Sequence, residues 1–338
     1  MSTAAISTAA AVVLFIGVIA YAMFGGADFG AGFWDLTAGG AERGRRPRHL
    51  VDLALAPVWE ANHVWLIFCL VMLWSAFPTA FAAITTTLYI PLGLAALGIV
   101  VRGSGFAFRK VVVRTADQRA AGAAFASSSV ITPFFLGTVA GGIASGRVPT
   151  GGYGDPITSW INPTSILGGV LAVLACAVMA AVFLVAEARR RGDRDLELWF
   201  RGRAIIASAA TGVVVLAGIG VLHADAPRLF SELTTRGLPL VLASALCGLA
   251  ALVLLPRASP ALLRGLAVTA VGAVVAGWGV AQYPYLLGDH LPIDRAAAPV
   301  PTLWVLLVVA AVAVVLVTPS IGLLFVLQQR GRLEIDEA

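Results

Sequence analysis

The chain has 338 residues, of which 59% are hydrophobic and 12% charged, about half the charged share of an ordinary soluble domain. At roughly 20 residues per bilayer crossing, the apolar runs counted below consume more than half of it. That excludes a soluble enzyme on a membrane anchor, a secreted protein and a separate nucleic-acid-binding fold. The formal net charge of +5 sits in short basic clusters between apolar runs, where membrane topology accounts for it.

Taken in chain order, the apolar runs predict nine spans, near residues 6–24 (continuing towards 37), 53–77, 80–101, 121–144, 162–186, 204–222, 238–255, 261–282 and 302–327. The first run carries neither a basic n-region nor an A-x-A site, so it reads as a span and not as a cleaved leader. The runs are continuous, without the alternation of a barrel strand, and helix satisfies every amide in lipid. The expected fold is therefore all-α: a single polytopic membrane domain. Of the 23 Lys and Arg residues, 19 fall in alternate connections and the carboxyl tail, while Arg147, Arg228, Arg236 and Arg295 fall in the other set. The positive-inside bias then puts the amino terminus outside and the carboxyl terminus inside, which needs an odd number of spans. Comparison of the first four spans with the next four gives no shared motif, so no inverted repeat is expected. Cys69, Cys176 and Cys247 each lie within an apolar run and read as small core hydrophobes.

An ionisable group near the bilayer centre costs about 2.5 to 3.5 kcal/mol on the lenient insertion scale, so each one needs a reason. Two stretches hold nearly all of them. In Gly25-Gly26-Ala27-Asp28-Phe29-Gly30-Ala31-Gly32-Phe33-Trp34-Asp35, Gly26 and Gly30 form a G-x-x-x-G pair that admits a close neighbour helix, and Asp28 and Asp35 share a face. Both acids can belong to a tightly packed inner end beside the basic loop at 43–48. In Pro57-Val58-Trp59-Glu60-Ala61-Asn62-His63-Val64-Trp65, one continuous helix would place Asp52, Trp59 and His63 within about 40° of one another, with Glu60 about 60° further round. Two carboxylates and an imidazole on one face suit a proton relay, because burial raises a carboxyl pKa while histidine already titrates near neutrality. The competing reading is a helix interface whose polar groups satisfy each other, and it is preferred for Asn62. His63 is also the one histidine at hydrocarbon depth and so a formal haem-ligand candidate, with no second ligand to pair with it.

These residues resemble the second subunit of the cytochrome bd family of quinol oxidases. The resemblance rests on Gly26 to Gly32, on Pro57 to Trp65, on Trp74-x-x-Phe77-Pro78, on Arg102-Gly103-x-x-Phe106-x-Phe108-Arg109, on Asn162-Pro163 and on Tyr283-Pro284-Tyr285-Leu286. It implies a larger haem-bearing partner, subunit I, with haems b and d or b alone, and quinol as substrate of the complex. A small accessory subunit is compatible with it. This chain would bind no haem or metal itself and would support assembly and proton and oxygen access in a bacterial cell membrane. On that basis Glu60, His63 and Asp28 are expected on a proton path and Trp65 beside an oxygen path, with Trp59, Asn62, Arg102 and Arg109 as structural motif residues. Gly25 and Ala107 depart from the family pattern, which often carries an acid at both positions. A proton-coupled secondary transporter with an acidic midplane site is the alternative from another class.

Overall fold

The computed structural model describes residues 2–40, 42–55, 58–111 and 115–329; within these, the side chains of 55, 58–61, 106, 109–111, 115–119, 318, 321, 324, 325 and 327–329 lie outside the description. The helices are α1 (Thr3–Leu36), α2 (Arg45–Leu55), α3 (Val58–Ala76), α4 (Pro78–Thr87), α5 (Tyr89–Val111), α6 (Thr115–Ala144) and α7 (Pro163–Arg190). They continue with α8 (Arg194–Asp225), α9 (Pro227–Thr234), α10 (Leu238–Leu254), α11 (Pro260–Gln282), α12 (Ile293–Ala296) and α13 (Val300–Gln329). Between α11 and α12 a small antiparallel hairpin pairs β1 (Tyr285–Leu287) with β2 (Leu291–Pro292), so the described part is all-α apart from this turn.

Short polar side chains start the long helices. Ser2, Asn162, Asp193 and Ser259 each accept a hydrogen bond from the backbone amide three residues on, and Pro163 and Pro260 take the first helical position, where no amide is needed. The Asn162-Pro163 motif is thus the start of α7.

The centre of the bundle is α1 crossed by α3, α6 and α7, with α7 also against α8 and α11. Glycine makes the closest crossings. A β-carbon on Gly30 would run into the Cys176 carbonyl of α7, and one on Gly137 would run into the Gly168 carbonyl. Hydrocarbon tails are as apolar as leucine, so close van der Waals approach and polar contacts hold such helices together.

Several expected boundaries shift. The expected span at 53–77 covers the end of α2 and all of α3; residues 56 and 57 and the side chains of 58–61 lie outside the described residues, and with them the polar stripe expected over Asp52, Trp59, Glu60 and His63. The axis then turns by 116° between α3 and α4. Pro78 opens α4 without an amide to donate, which ends the upstream helix, and Trp74 and Phe81 stack across the corner with centroids 5.9 Å apart. The expected third span, 80–101, therefore begins inside α4 and stops short of the end of α5. A second corner of 76° separates α9 from α10. Six described helices are long and apolar enough to cross a membrane, or up to eight if each bent pair is one span.

Candidate functional site

The acid of α1 and the arginine of α5 meet at the centre. Arg102 Nη2 lies 2.5 Å from Asp28 Oδ1 and donates to the Asp28 carbonyl at 3.0 Å, and both side chains are 1% exposed. Arg102 Nη1 donates to Ser129 Oγ on α6. The guanidinium is also bracketed by two rings, 5.0 Å from the centroid of Phe29 and 4.3 Å from that of Phe125. Helices α1, α5 and α6 are therefore joined through one side chain. Glycine makes the room for it, since a β-carbon on Gly32 would sit 2.8 Å from Arg102 Nη1.

Asn62 ties α3 to this pair. Its Nδ2 lies 3.5 Å from Asp28 Oδ2, and its Oδ1 faces Gly25, where a β-carbon would approach to 3.0 Å. An acid at position 25 would require Asn62 to move, so the departure at Gly25 and the placement of Asn62 belong together. One turn along α3, Trp65 stacks parallel to Phe24 of α1 at 6.2 Å and meets Phe68 edge-on at 6.1 Å. Among the described residues Asn62 Oδ1, Trp65 Nε1, Arg102 Nε and Thr132 Oγ1 are buried without a protein hydrogen-bond partner. They leave polar capacity along the crossing of α1 and α3 and along α6.

The structure thus brings together Asp28, Asn62 and Arg102, and sets Trp65 on the same α1–α3 contact. His63 is half-buried on α3. Trp59 and Glu60 belong to the first turn of α3, and their side chains, like that of Arg109 near the end of α5, lie outside the described residues. Ala107, the second departure, is exposed. Asp35, at the carboxyl end of α1, accepts from Arg48 Nε at 2.7 Å, so this acid does meet the basic stretch at 43–48. Sequence reasoning named Asp28 and Arg102 separately but missed their pairing, and it missed Ser129. The signal for the second was the hydroxyl run Ser127-Ser128-Ser129 inside an apolar helix. Among the described residues no group of three His, Cys, Asp or Glu could hold a metal ion.

A second polar cluster sits at the far end of the bundle. Arg147 donates both Nη atoms to Asp225, at 3.1 and 2.6 Å, and Asp225 also accepts from the Thr164 amide and hydroxyl. Beside it the guanidinium of Arg228 donates to the Gly288 carbonyl and lies 4.6 Å from the ring of Tyr285. The Tyr283 to Leu286 motif therefore anchors the hairpin to α9.

The comparison with protein families decides the identity of this fold. The model of cytochrome bd terminal oxidase subunit II matches residues 6–328. The chain belongs to that family. It is 27% identical over 247 residues to cytochrome bd ubiquinol oxidase subunit 2 of Bacillus subtilis, covering 72% of this chain and 70% of the relative. It is also 27% identical over 220 residues to cytochrome bd-I ubiquinol oxidase subunit 2 of Escherichia coli K12, and there the match covers 62% of this chain and 56% of the relative. A chain in the structure of bd oxidase from Geobacillus thermodenitrificans superposes with a TM-score of 0.80 over 95% of this chain and 98% of its own length, at 24% identity, which establishes the shared fold. This family member is thus a subunit of a quinol:oxygen oxidoreductase and a multi-pass protein of the bacterial plasma membrane. The transporter alternative finds no support in these matches.

Proposed function

We propose that this chain is the haem-free second subunit of its oxidase: a helical partner that completes a larger haem-bearing subunit I and provides proton and oxygen access to the haems held there. The observation that carries this is the enclosed ion pair of Asp28 with Arg102, tied through Asn62 to the helix that bears Glu60, His63 and Trp65. An ion pair with both side chains 1% exposed is a fixed strut, since removing either partner strands a charge. Asp28 therefore serves the path by holding α1, α3, α5 and α6 in register, and Glu60 with His63 is the pair that takes up and passes protons. Trp65, stacked on Phe24, lines the apolar side of the same crossing, where dioxygen would pass. The relatives' printed names include both ubiquinol and menaquinol oxidases, so both quinol classes are to be tried, and a small accessory subunit is compatible with this assignment.

The same reading takes the chain as a single membrane domain of nine spans, with α4 and α9 as oblique segments at the outer corners, the amino terminus outside and the carboxyl terminus inside. It is supported by the distribution of arginine and by the alternation of α1, α3, α5, α6, α7, α8, α10, α11 and α13 along the chain.

Glu60 is the decisive test, made in the purified two-subunit complex. Glu60→Gln keeps size and hydrogen bonding but removes the ionisable proton, whereas Glu60→Asp keeps the acid and shortens it by one methylene. A relay requires the Gln variant to assemble with normal haem content and lose most quinol oxidase activity, about 10²-fold or more, while Asp retains much of it. Full turnover in an assembled Gln variant would remove the relay and leave the scaffold.

A further inference from the structure

Helices α8 and α10 leave a groove between them. α8 packs along α7, α10 along α11 and α11 against α7, while α8 and α10 themselves touch at only a few positions. The groove is floored by α7 and α11 and crossed by α9 at one end. At the other end Arg189 gathers the two walls: its Nη2 donates to Glu197 of α8 at 2.9 Å and to the Leu255 carbonyl, at the end of α10, at 2.7 Å. Arg189 also bonds the carbonyl of Ala258, so the turn that carries Arg257 is fixed beside α8.

Two guanidiniums flank this junction without an acidic partner among the described residues. Arg201 lies one turn beyond Glu197 on the same face of α8, and Arg257 is exposed in the α10–α11 turn. Glu197 offers them nothing, because Arg189 and Arg194 already hold its carboxylate, at 2.9 and 3.1 Å. Beyond Arg201 the same face of α8 continues through Ile205, Ser208, Gly212, Val215 and Ile219. Ile205, Val215 and Ile219 are 44%, 48% and 51% exposed, and a β-carbon on Gly212 would meet nothing within 4 Å. Apart from the half-buried Ser208, the face is apolar for about 20 Å past its charged end, at 1.5 Å per residue, which exceeds one leaflet's half of a ~30 Å hydrocarbon core.

We infer that the α8–α10 groove is a site for one anionic phospholipid of the inner leaflet, its phosphate between Arg201 and Arg257 and an acyl chain along α8. Charge complementarity chooses the occupant: two arginines at headgroup level favour an anionic lipid over a zwitterionic one, and an apolar stripe continuous with them requires a tail. A free phosphate would use the arginines and ignore the stripe, and a helix of a partner protein would cover the stripe and ignore the arginines. The inference rests on the orientation proposed above, with the 189–203 connection inside.

Native mass spectrometry of the purified two-subunit complex, titrated with phosphatidylglycerol, tests it; phosphatidylcholine and inorganic phosphate are the controls. The wild type should retain one phosphatidylglycerol through activation that strips phosphatidylcholine. Arg201→Gln and Arg257→Gln should each weaken that binding about fivefold and the double variant about 25-fold, with Arg257→Lys close to wild type and haem content unchanged throughout. Equal retention of the two lipids, equal binding by wild type and double variant, or displacement of the lipid by millimolar phosphate would each overturn the inference. Labelling of a cysteine placed at position 201 from the outer side would sink the orientation and this inference together. Labelling from the inner side with unchanged lipid binding would sink this inference alone.

Discussion

The helices of this subunit fall into two kinds. In the most apolar stretch of α7 half the residues (50%) are buried, and in those of α1 and α6 39% and 44%, against 11% for α8 and for α13. The buried set is the less uniformly apolar one. It holds Asp28, Arg102's partner Ser129, and the glycines at 26, 30, 32 and 137, whereas the outward faces of α8 and α13 are written in Val, Leu and Ile. In water that ordering would be inverted. In a bilayer, burying leucine against leucine gains little over burying it in lipid, so what distinguishes an interior is small residues that admit close approach and polar groups that need each other. The difference between the two sets of helices can be broken or sharpened by substitution.

The largest effect belongs to the ion pair. Arg102→Gln leaves Asp28 charged and enclosed, and Asp28→Asn leaves the guanidinium in the same position; each is expected to cost about 3 to 5 kcal/mol. In practice little assembled complex should be recovered, measured as haem-bearing complex per unit of membrane protein. The double replacement Asp28→Leu with Arg102→Met should recover more than either single variant, because it removes both charges and keeps volume. A double variant worse than both singles would mean that the pair is not simply an isolated strut.

Close approach ranks next. Gly30→Val puts two methyl groups where the Cys176 carbonyl already stands, and since both partners are helix backbone, relief requires α1 and α7 to separate. Overpacking of this kind costs about 1 to 3 kcal/mol, visible as a lower Tm of the complex. Gly212→Val on α8 meets nothing within 4 Å and should leave Tm unchanged, apart from a small gain in helix propensity.

The sequence carried the first of these distinctions better than the second. Continuous apolar runs and the arginine distribution are enough to show a polytopic helical bundle, and the G-x-x-x-G pair at 26 and 30 marks the α1–α7 contact. The boundary after Phe77 was legible, since the spans expected at 53–77 and 80–101 part there, but the separate segment α4 was not, because α3, α4 and α5 are all apolar and the hydropathy runs on from α4 into α5. The Asp28–Arg102 pair is 74 residues apart in the chain, and no local period relates an acid on α1 to a base on α5. Only the rule that an intramembrane charge needs a partner pointed to its existence. The stretch that would align Asp52 with His63 includes residues 56 and 57, which lie outside the described residues.

Truncation on the outward faces should do little. Leu216→Ala on α8 removes a side chain that is 69% exposed, so it trades contact with lipid for contact with lipid, and its effect should stay within about 0.5 kcal/mol. A substantial loss of assembled complex from this change would mean that α8 is covered by protein in the oxidase. That would place a partner helix where lipid is inferred above.

The smallest effect is electrostatic and lies outside the membrane-spanning part, at the start of α8. Asp193 accepts the Leu196 amide at 3.1 Å and faces Arg46 Nη2 at 3.0 Å, so one carboxylate caps α8 and links it to α2. The amide of Leu196 first holds the Asp193 carboxyl below its ordinary value; burial opposes it, and the hydrogen bond and charge of Arg46 add to the lowering. Because the folded chain binds this proton more weakly than the unfolded one, the linkage contributes stability above the unfolded value, near pH 4, and loses it as pH falls through the lower folded value. Thermal unfolding of the complex should therefore show no pH dependence from Asp193 between pH 8 and pH 5, where its contribution is fully present, and a decline only below about pH 4. Asp193→Asn separates the two roles. The amide still caps the helix but does not titrate, so Tm near neutrality should barely change while the decline at low pH becomes shallower. Asp193→Ala loses the cap as well and should cost about 1 kcal/mol at every pH. If Asn and Ala behave alike near neutrality, the link to Arg46 and not the cap is what Asp193 supplies, and the two helices it joins depend on each other more than their exposure suggests.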